Sequence, residues 1–444
     1  MSIAAVGLST SLLIIVSSLF TGFIRAFEQA AVEAMGDVVL TPPKRIAKYP
    51  QFIERLERTG LVEAATARLS SQGLLHLGKG NVRAVKIWGI ECGKRAKVTR
   101  FKQALRRQGS LPGEPSFDSA DLPDKIGGFV GVGVVAEPAE ETDEYDFESI
   151  DKSVLGSEVV VVTGAQAGSG DSRGADEDSS SDESGAAAPV RFVRKNIPFT
   201  VTDVVFSGVY YLDKNLIYLP IEELQKKLYP DEAWPTADQI QIKLAGDADI
   251  DVALAVIRGV WEEFAATELG WSIHLMRYTE IETSKEMQRQ YVAELLKQMG
   301  VLLVIFGMVS FGVVVLVFCI FYMIVRLKQK DVGVIKSCGG SSGSVASVFV
   351  GFGVFVGMIG SGLGIVLAYI VTRYVNTVEE WIRIIFGLKL WKSSVYMFNR
   401  IPNEVNWYSV WIIVLSAISA VVVGALLPAI MAARTRPVNI LRYE

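Results

Sequence analysis

Four runs without a charged residue divide the chain. They lie at 3–24, 299–325, 346–372 and 408–433. Each exceeds the roughly 20 apolar residues that cross the hydrocarbon core of a bilayer as an α-helix. The pattern therefore predicts four transmembrane helices, with bounds 1–25, 299–325, 346–372 and 408–433. For the first run we favour a span over a cleaved signal peptide, because no basic stretch precedes it and no clean small-residue cleavage site follows it.

The segment between the first two spans, 26–298, has the mixed pattern of an α/β domain. Helix formers at Ala26–Met35 and a polar helical pattern at Glu282–Gln298 predict two stalk helices that extend the spans. Alternating positions predict strands at 37–41, 84–90, 158–162, 199–206 and 239–244. Helical periodicity predicts helices at 49–59, 221–228 and 249–268. The fold class predicted is an α+β membrane protein with a large extracytoplasmic domain between helices 1 and 2.

Residues 164–188 interrupt two strands, Glu158–Thr163 and Val190–Val193, that otherwise predict a hairpin. The interruption consists almost entirely of Ser, Gly, Ala, Asp and Glu, with no aromatic residue and no large aliphatic one. Such a composition buries too little apolar surface to offset the entropy of ordering, so we expect this segment to be disordered.

The short connection 326–345, RLKQKDVGVIKSCGGSSGSV, carries four basic residues and one acidic residue. Short basic loops between spans lie on the cytoplasmic side, so both termini are expected there too, with 373–407 external and a cytoplasmic tail at 434–444. Val332, Val334 and Ile335 are predicted to form one apolar stripe on a short helix. The glycines at 339, 340 and 343 end that helix and allow a sharp re-entry.

The composition restricts the partners and the kinds of site that we expect. The chain has 444 residues, 50% of them hydrophobic, and a net charge of −4, so nucleic acid is not an expected partner. Three cysteines and two histidines are scattered, so we expect neither an intrachain disulfide nor a metal site. No Gly-x-x-x-x-Gly-Lys-Ser/Thr phosphate loop occurs, and no catalytic constellation stands out. Any ATP hydrolysis is expected from a separate subunit.

Several motifs resemble one family of permeases. Lys330–Lys336 followed by Gly339-Gly340-Ser341 resembles the ATPase-coupling segment of the FtsX/MacB superfamily of ABC-transporter permeases. The C-terminal Leu427-Pro428-Ala429 and Ala432-Ala433-Arg434 resemble that superfamily's ending. Tyr396–Pro402, Ser17–Phe23 and Ile197–Val201 are more similar to its lipoprotein-releasing branch, LolC and LolE. The superfamily's long N-terminal lead-in does not precede the first span here.

The resemblance implies a MacB-like periplasmic core of two packed subdomains and the role of a non-catalytic inner-membrane permease. Its implied partners are a LolD-like ATPase that binds ATP and Mg, a second permease copy or paralogue, membrane lipids and a periplasmic carrier. In LolC-like relatives the position of 164–188 bears a hook that captures this carrier. For this chain we favour a tolerated insertion, with carrier docking as the alternative.

The resemblance and the pattern together nominate three sets of residues. The coupling set is Lys330, Asp331, Val332, Val334, Ile335, Lys336, Gly339 and Ser341. The set expected to line a cavity for acyl chains is Phe20, Phe23, Phe27, Met299, Leu302 and Phe306. Small residues four apart, expected to pack spans closely, are Gly353, Gly357, Gly360 and Gly364.

The function expected is the release of lipoproteins or other amphiphilic substrates at the outer face of the inner membrane by mechanical transmission. Two alternatives stay open: an efflux permease for peptides or drugs, and an FtsX-like signal transducer that acts on cell-wall enzymes. Transducers usually have a smaller external domain, and the motif at Tyr396–Pro402 favours the lipoprotein branch.

Overall fold

The structure is a computed structural model. It describes residues 2–78, 80–118, 125–139, 143–166, 192–387, 389, 391–392, 398 and 400–434. The low-complexity stretch nominated from the sequence lies almost wholly outside these residues, as do Tyr396, Met397 and the tail from 435.

The described part of the chain has long α-helices near both ends and shorter α-helices between the strands of its middle part. Their bounds are α1 Ser2–Met35, α2 Tyr49–Glu57, α3 Cys92–Val98, α4 Phe101–Ala104, α5 Val132–Val135, α6 Phe147–Val154, α7 Tyr210–Asn215, α8 Ile221–Leu228, α9 Ile250–Thr267, α10 Ile273–Arg277, α11 Ser284–Met287, α12 Arg289–Leu327, α13 Gln329–Ser337, α14 Ser342–Arg373, α15 Val375–Phe386 and α16 Trp407–Arg434. A 3₁₀ turn covers Gln108–Ser110.

The strands lie between α1 and α11. Their bounds are β1 Val38–Thr41, β2 Ile46–Ala47, β3 Val62–His76, β4 Val82–Ile90, β5 Gly127–Gly131, β6 Glu158–Gln166, β7 Phe192–Val205, β8 Leu216–Pro220, β9 Thr236–Ala237, β10 Gln239–Leu244 and β11 Glu280–Thr283.

Among the residues that the structure describes, four helices are long and apolar enough to cross a membrane: α1, α12, α14 and α16. Each contains one of the four predicted runs, and the α/β part lies between the first two of them. The predicted fold class is therefore confirmed. The helices also extend beyond the apolar runs, because α1 continues through the helix formers to Met35 and α12 begins at Arg289.

The chain divides into two compact units. A membrane unit contains residues 1–27, 290–387 and 400–444, and an external unit contains 28–289 and 388–399. Of the predicted external loop 373–407, residues 373–387 and 400–407 group with the membrane unit, and the described residues 389, 391–392 and 398 group with the α/β domain.

In the external unit, nine strands form one sheet in the order β11-β1-β10-β3-β4-β8-β5-β7-β6, and β6 also pairs with β3. Strands β3, β4, β8, β5, β7 and β6 consequently close into a ring. The long strand β3 belongs to both parts of the sheet, because its first half pairs with β10 and its second half with β4 and β6. The sheet is therefore continuous across both parts, and the expected division into two packed subdomains stays a prediction.

The predicted hairpin is present, but it is longer than predicted. Residues 164–166, expected to be disordered, belong to β6, and residues 158–163 pair with 195–200. Strand β6 pairs antiparallel with β7 from Glu158 opposite Thr200 to Gln166 opposite Phe192. Gly73 lies within β3, beside β6. A Cβ at this position would come 2.5 Å from the Val162 carbonyl oxygen, so the glycine allows β6 to approach β3 closely.

The main core of the external unit extends from the sheet to α2 and α9. Phe52 of α2 packs against Trp261 and Phe264 of α9, with ring centroids 5.3 and 5.1 Å apart. All three side chains are almost completely buried. Asp249 caps the N-terminus of α9 by accepting hydrogen bonds from the amides of Asp251 and Val252, which explains why this helix begins where predicted.

The last turn of α1 is held by α3 and by Arg100, the residue that directly precedes α4. The guanidinium of Arg95, with 2% exposure, donates to the Ala34 carbonyl at 3.0 Å and to Gln241 Oε1 at 2.7 Å. Arg100 forms an ion pair with Glu33 at 2.7 Å. A cation near the last carbonyls of a helix is favourable, because these carry the negative end of the helix dipole.

The strand that follows α1 and the strand that precedes α11 and α12 are neighbours in the sheet. After α1, strand β1 pairs antiparallel with β11, which precedes α11 and α12. Asp37 joins them, since its carbonyl accepts from the Ser284 amide at 2.9 Å and its carboxylate accepts from the Leu244 amide at 2.9 Å. The chain therefore enters and leaves the α/β domain at one place.

In the membrane unit, the four nominated glycines of α14 are buried at contacts with other helices. A Cβ on Gly353 would lie 2.9 Å from the Ala425 side chain of α16, and one on Gly360 would lie 2.9 Å from Val6 of α1. Gly357 and Gly364 likewise face α16 and α1. Small residues thus let α14 pack closely against two helices at once.

Candidate functional site: the coupling helix and the first two spans

Helix α13 lies between α12 and α14 and has a defined end. Gly339 has φ +94°, the left-handed region, and the Gly340 amide donates to the Ile335 carbonyl at 3.0 Å. Ser341 then caps α14 by accepting a hydrogen bond from the Ser344 amide at 3.0 Å. Two nominated residues thus have clear local roles: Gly339 reverses the chain and Ser341 starts the next helix.

The apolar residues of α13 point in different directions. Val332 is 5% exposed and packs with Val325, Val345 and Ala432, whereas Val334 and Ile335 are 52% and 54% exposed. The predicted single stripe is therefore wrong. At about 100° per residue, positions 332 and 334 lie on opposite sides of a helix. Val332 anchors α13 to the spans, and the other two residues face outward.

The charged residues of α13 also divide into anchoring and exposed groups. Lys336 Nζ donates to the Ala433 carbonyl at 2.6 Å, which ties α13 to the last turn of α16. Asp331 forms an ion pair with Lys328 at 3.0 Å, and both side chains are mostly exposed. Lys330 is exposed as well. The helix is consequently held along one side and presents Val334, Ile335 and Lys330 on the other.

Two contacts place α1 and α12 side by side. The hydroxyls of Ser9 and Ser310 lie 2.8 Å apart, and the rings of Phe27 and Tyr291 stack with centroids 4.6 Å apart. The first contact joins an early residue of α1 to a late residue of α12, and the second joins a late residue to an early one. The two helices therefore run antiparallel.

The six nominated lining residues are all half-buried. On α12, Met299, Leu302 and Phe306 alternate with exposed neighbours such as Val301 and Ile305. On α1, Phe20, Phe23 and Phe27 follow one another at helical spacing. All six lie between the Ser9–Ser310 and Phe27–Tyr291 contacts or at their edge, so the structure places them along neighbouring stretches of two helices.

Sequence reasoning missed two features of this unit. Helix α15 was assigned to an external loop, although Val375–Phe386 carries a helical apolar period that could have revealed it. The Ser9–Ser310 contact was also missed, because a single serine in an apolar run gives no signal about its partner.

The first comparison with known proteins concerns the membrane unit. Residues 303–437, which include α13, α14, α15 and α16, match the model of the FtsX-like permease C-terminal family. The chain carries an FtsX-like permease domain. Its resemblance to FtsX/MacB-superfamily permeases of the LolC and LolE branch is confirmed by relatives along the rest of the chain.

Three relatives show how far this similarity extends. The lipoprotein-releasing system transmembrane protein LolC of Neisseria meningitidis is 23% identical over all of this chain and 93% of its own length. A LolC of Xylella fastidiosa is 25% identical over 58% of each chain. LolE of Haemophilus influenzae is 29% identical over 27% of this chain and 29% of its own length. These relatives and the four apolar helices indicate a protein of the inner membrane.

Two solved structures resemble part of this chain weakly. The periplasmic region of MacB from Actinobacillus actinomycetemcomitans, 12% identical, covers 59% of this chain and 95% of its own length with a TM-score of 0.33. The extracellular domain of the noncanonic ABC-type transporter YknZ, 11% identical, covers 56% of this chain and 99% of its own length with a TM-score of 0.31.

Proposed function

We propose that this chain is the permease subunit of an ABC transporter that releases lipoproteins or other amphiphilic substrates from the outer face of the inner membrane. The observation that supports this most directly is α13. It is anchored to the spans by Val332 and Lys336, yet it exposes Val334 and Ile335. An exposed apolar pair on an anchored helix suits a contact through which a soluble partner pushes the spans.

The partner in this proposal is a separate LolD-like ATPase that holds ATP and Mg, while the permease itself catalyses nothing. The sequence lacks a phosphate loop, which is the reason for assigning hydrolysis elsewhere. One copy contributes only four spans, so a second permease, either identical or a paralogue, completes the pathway. Both termini and α13 face the cytoplasm in this arrangement.

Force would travel from α13 into α12 and α14, between which it is inserted. Helix α12 continues without a break from Arg289 to Leu327, and it follows β11 along the chain after the short helix α11. Movement of α13 would therefore reach the place where the chain enters and leaves the external unit. The substrate's acyl chains would enter laterally against Phe20, Phe23, Phe27, Met299, Leu302 and Phe306.

The test compares Ile335→Asp with Lys330→Ala. Burial of one aliphatic side chain stabilises a contact by roughly 1.5–3 kcal/mol, whereas an exposed ion pair contributes about 0–1 kcal/mol. A carboxylate in an apolar cleft adds a desolvation cost. We expect Ile335→Asp to abolish ATPase capture and substrate release in reconstituted complexes, and Lys330→Ala to weaken them by less than about tenfold.

Ser337→Asp is a matched control, since it adds the same charge at another exposed position of α13. Unchanged capture and release by Ile335→Asp would overturn the proposal. Mass spectrometry of molecules that copurify with the wild-type complex separates lipoproteins from peptides or drugs, which an efflux permease would carry. An FtsX-like transducer would instead copurify with a cell-wall enzyme.

A further inference from the structure

Helix α15 begins one residue after α14 ends, at the end of α14 opposite α13. It has 12 residues, too few to cross a bilayer as a helix. Gly387, with φ +65°, ends it. The only interruption between α14 and α15 is Tyr374, which is exposed, so the surface of a membrane-spanning helix continues directly into α15.

The two faces of α15 are reversed with respect to a helix of a water-soluble protein. Its apolar residues point outward: Trp381, Ile384, Ile385 and Phe386 are 63%, 71%, 68% and 68% exposed. No residue of α15 is buried. Exposure of four large apolar side chains within six residues is unfavourable in water.

The polar face of α15 is directed toward the protein. Asn376 donates to the Ile401 carbonyl at 3.2 Å and accepts from the Ile401 amide at 2.9 Å. The Arg383 side chain is 25% exposed and lies 3.6 Å from Glu380, whose side chain is 58% exposed. The orientation of α15 is therefore held by hydrogen bonds on its polar side, with the apolar side turned away from the chain.

We propose that α15 lies in the plane of the outer leaflet, with Trp381, Ile384, Ile385 and Phe386 inserted at the boundary between headgroups and acyl chains. A lipid surface fits better than a protein partner because α15 continues the lipid-facing surface of α14. Trp is also enriched at membrane interfaces, and short amphipathic helices bury their apolar face about 5–10 Å deep there.

The charged residues of α15 indicate which class of phospholipid this helix requires. Its polar face carries Glu379, Glu380 and Arg383, and no lysine. Helices that depend on anionic lipids are rich in Lys and Arg, whose attraction to the headgroups adds to apolar burial. Insertion of α15 therefore rests on apolar burial, and zwitterionic phospholipid is sufficient for it.

The test places single cysteines in the full chain after replacement of Cys92, Cys319 and Cys338. Reporters at Ile385 and, as a matched control on the opposite face, Glu380 carry an environment-sensitive fluorophore. Phe355, an exposed residue in the middle of α14, reports the bilayer interior. The protein is reconstituted in zwitterionic phospholipid that carries a nitroxide either near the headgroup or near the chain end, and iodide probes exposure to water.

We expect the shallow nitroxide to quench the Ile385 probe several times more strongly than the deep nitroxide does. We expect iodide to quench the Glu380 probe. The Phe355 probe should prefer the deep nitroxide. Quenching of Ile385 by iodide as strongly as Glu380 would overturn the proposal. Protection from all three quenchers, which indicates a covering protein, would also overturn the proposal. So would lipid quenching of the Ile385 probe that appears only when the measurement is repeated with anionic phospholipid added. Ile384→Cys gives the same comparison if Ile385→Cys does not fold.

Discussion

Asp213 is a buried carboxylate with 2% exposure that organises the loop before α7. Its Oδ1 accepts from the amide and the hydroxyl of Ser207 at 2.8 and 2.7 Å, and its Oδ2 accepts from the Gly208 amide at 3.0 Å. Burial raises the pKa of Asp213 to about 6, because desolvation of the charge outweighs the three hydrogen bonds that lower the pKa.

This pKa predicts a pH dependence of stability with a definite sign. An unfolded aspartate titrates near about 3.9, so between pH of about 6 and 4 the folded state holds a proton that the unfolded state lacks. Lowering the pH from 7.5 to about 5 should therefore stabilise the wild type relative to Asp213→Asn by about 1–1.5 kcal/mol. The measurement is the thermal midpoint of the full chain in detergent at each pH.

Asp247→Asn, which removes an exposed carboxylate of the same unit, is the control and should run parallel to the wild type. A difference between wild type and Asp213→Asn that stays constant, or that shrinks as the pH falls, would contradict the assignment.

At the scale of secondary-structure elements, the hairpin formed by β6 and β7 closes the ring of strands. Val160 to Thr163 pair with β3 on one side, while β6 pairs along its whole length with β7 on the other. The register carries through to Gln166 opposite Phe192, so the strands could be joined there by a two-residue turn. The sequence-based prediction of a tolerated insertion therefore gains a defined pair of junction points.

Replacement of residues 167–191 by Asn-Gly tests that prediction. Asn-Gly suits the type I′ turn of a two-residue hairpin, so the thermal midpoint and the ATPase activity of the assembled complex should stay close to wild type. Gly73→Val is the contrasting variant, because a Cβ there would meet the Val162 carbonyl oxygen at 2.5 Å and should destabilise the ring. Loss of substrate release by the Asn-Gly variant, with assembly intact, would identify a docking device instead.

At the scale of the whole molecule, the orientation in the membrane is a prediction from the basic connection 326–345. Cys338 is exposed and reports the side on which α13 lies. Cys92, in α3 of the α/β domain, is unsuitable as a reporter of the opposite side because it is 7% exposed and burial raises the pKa of its thiol to about 12. A thiol that is both inaccessible and protonated reacts slowly on either side.

Asp247→Cys, at an exposed position of the external unit, replaces it. In intact cells, a membrane-impermeant maleimide should label a variant whose only added thiol is at 247 and should leave Cys338 unlabelled until the membrane is permeabilised. Labelling of Cys338 from outside would reverse the predicted topology, while failure of the 247 variant to react in intact cells would place the α/β domain elsewhere.

Properties set by neighbours along the chain were predictable from the residues. An uncharged apolar run is recognisable without knowledge of its partners, which is why the four spans were found. The strand and helix at Gln239–Leu244 and Ile221–Leu228 begin and end as predicted, because local period and turn residues bound them. The left-handed Gly339 follows from the same kind of local signal.

Properties set by distant segments needed the folded chain. The closure of β6 onto β3, the burial of Val332 against Ala432 and the docking of Asn376 on Ile401 each join residues far apart in sequence. An apolar residue in a sequence pattern indicates that burial or lipid contact is favourable at that position. It does not indicate which surface, protein or lipid, the side chain contacts. Only the packing of α13 and α15 against their neighbours shows that Val332 faces the protein while Ile385 faces away from it.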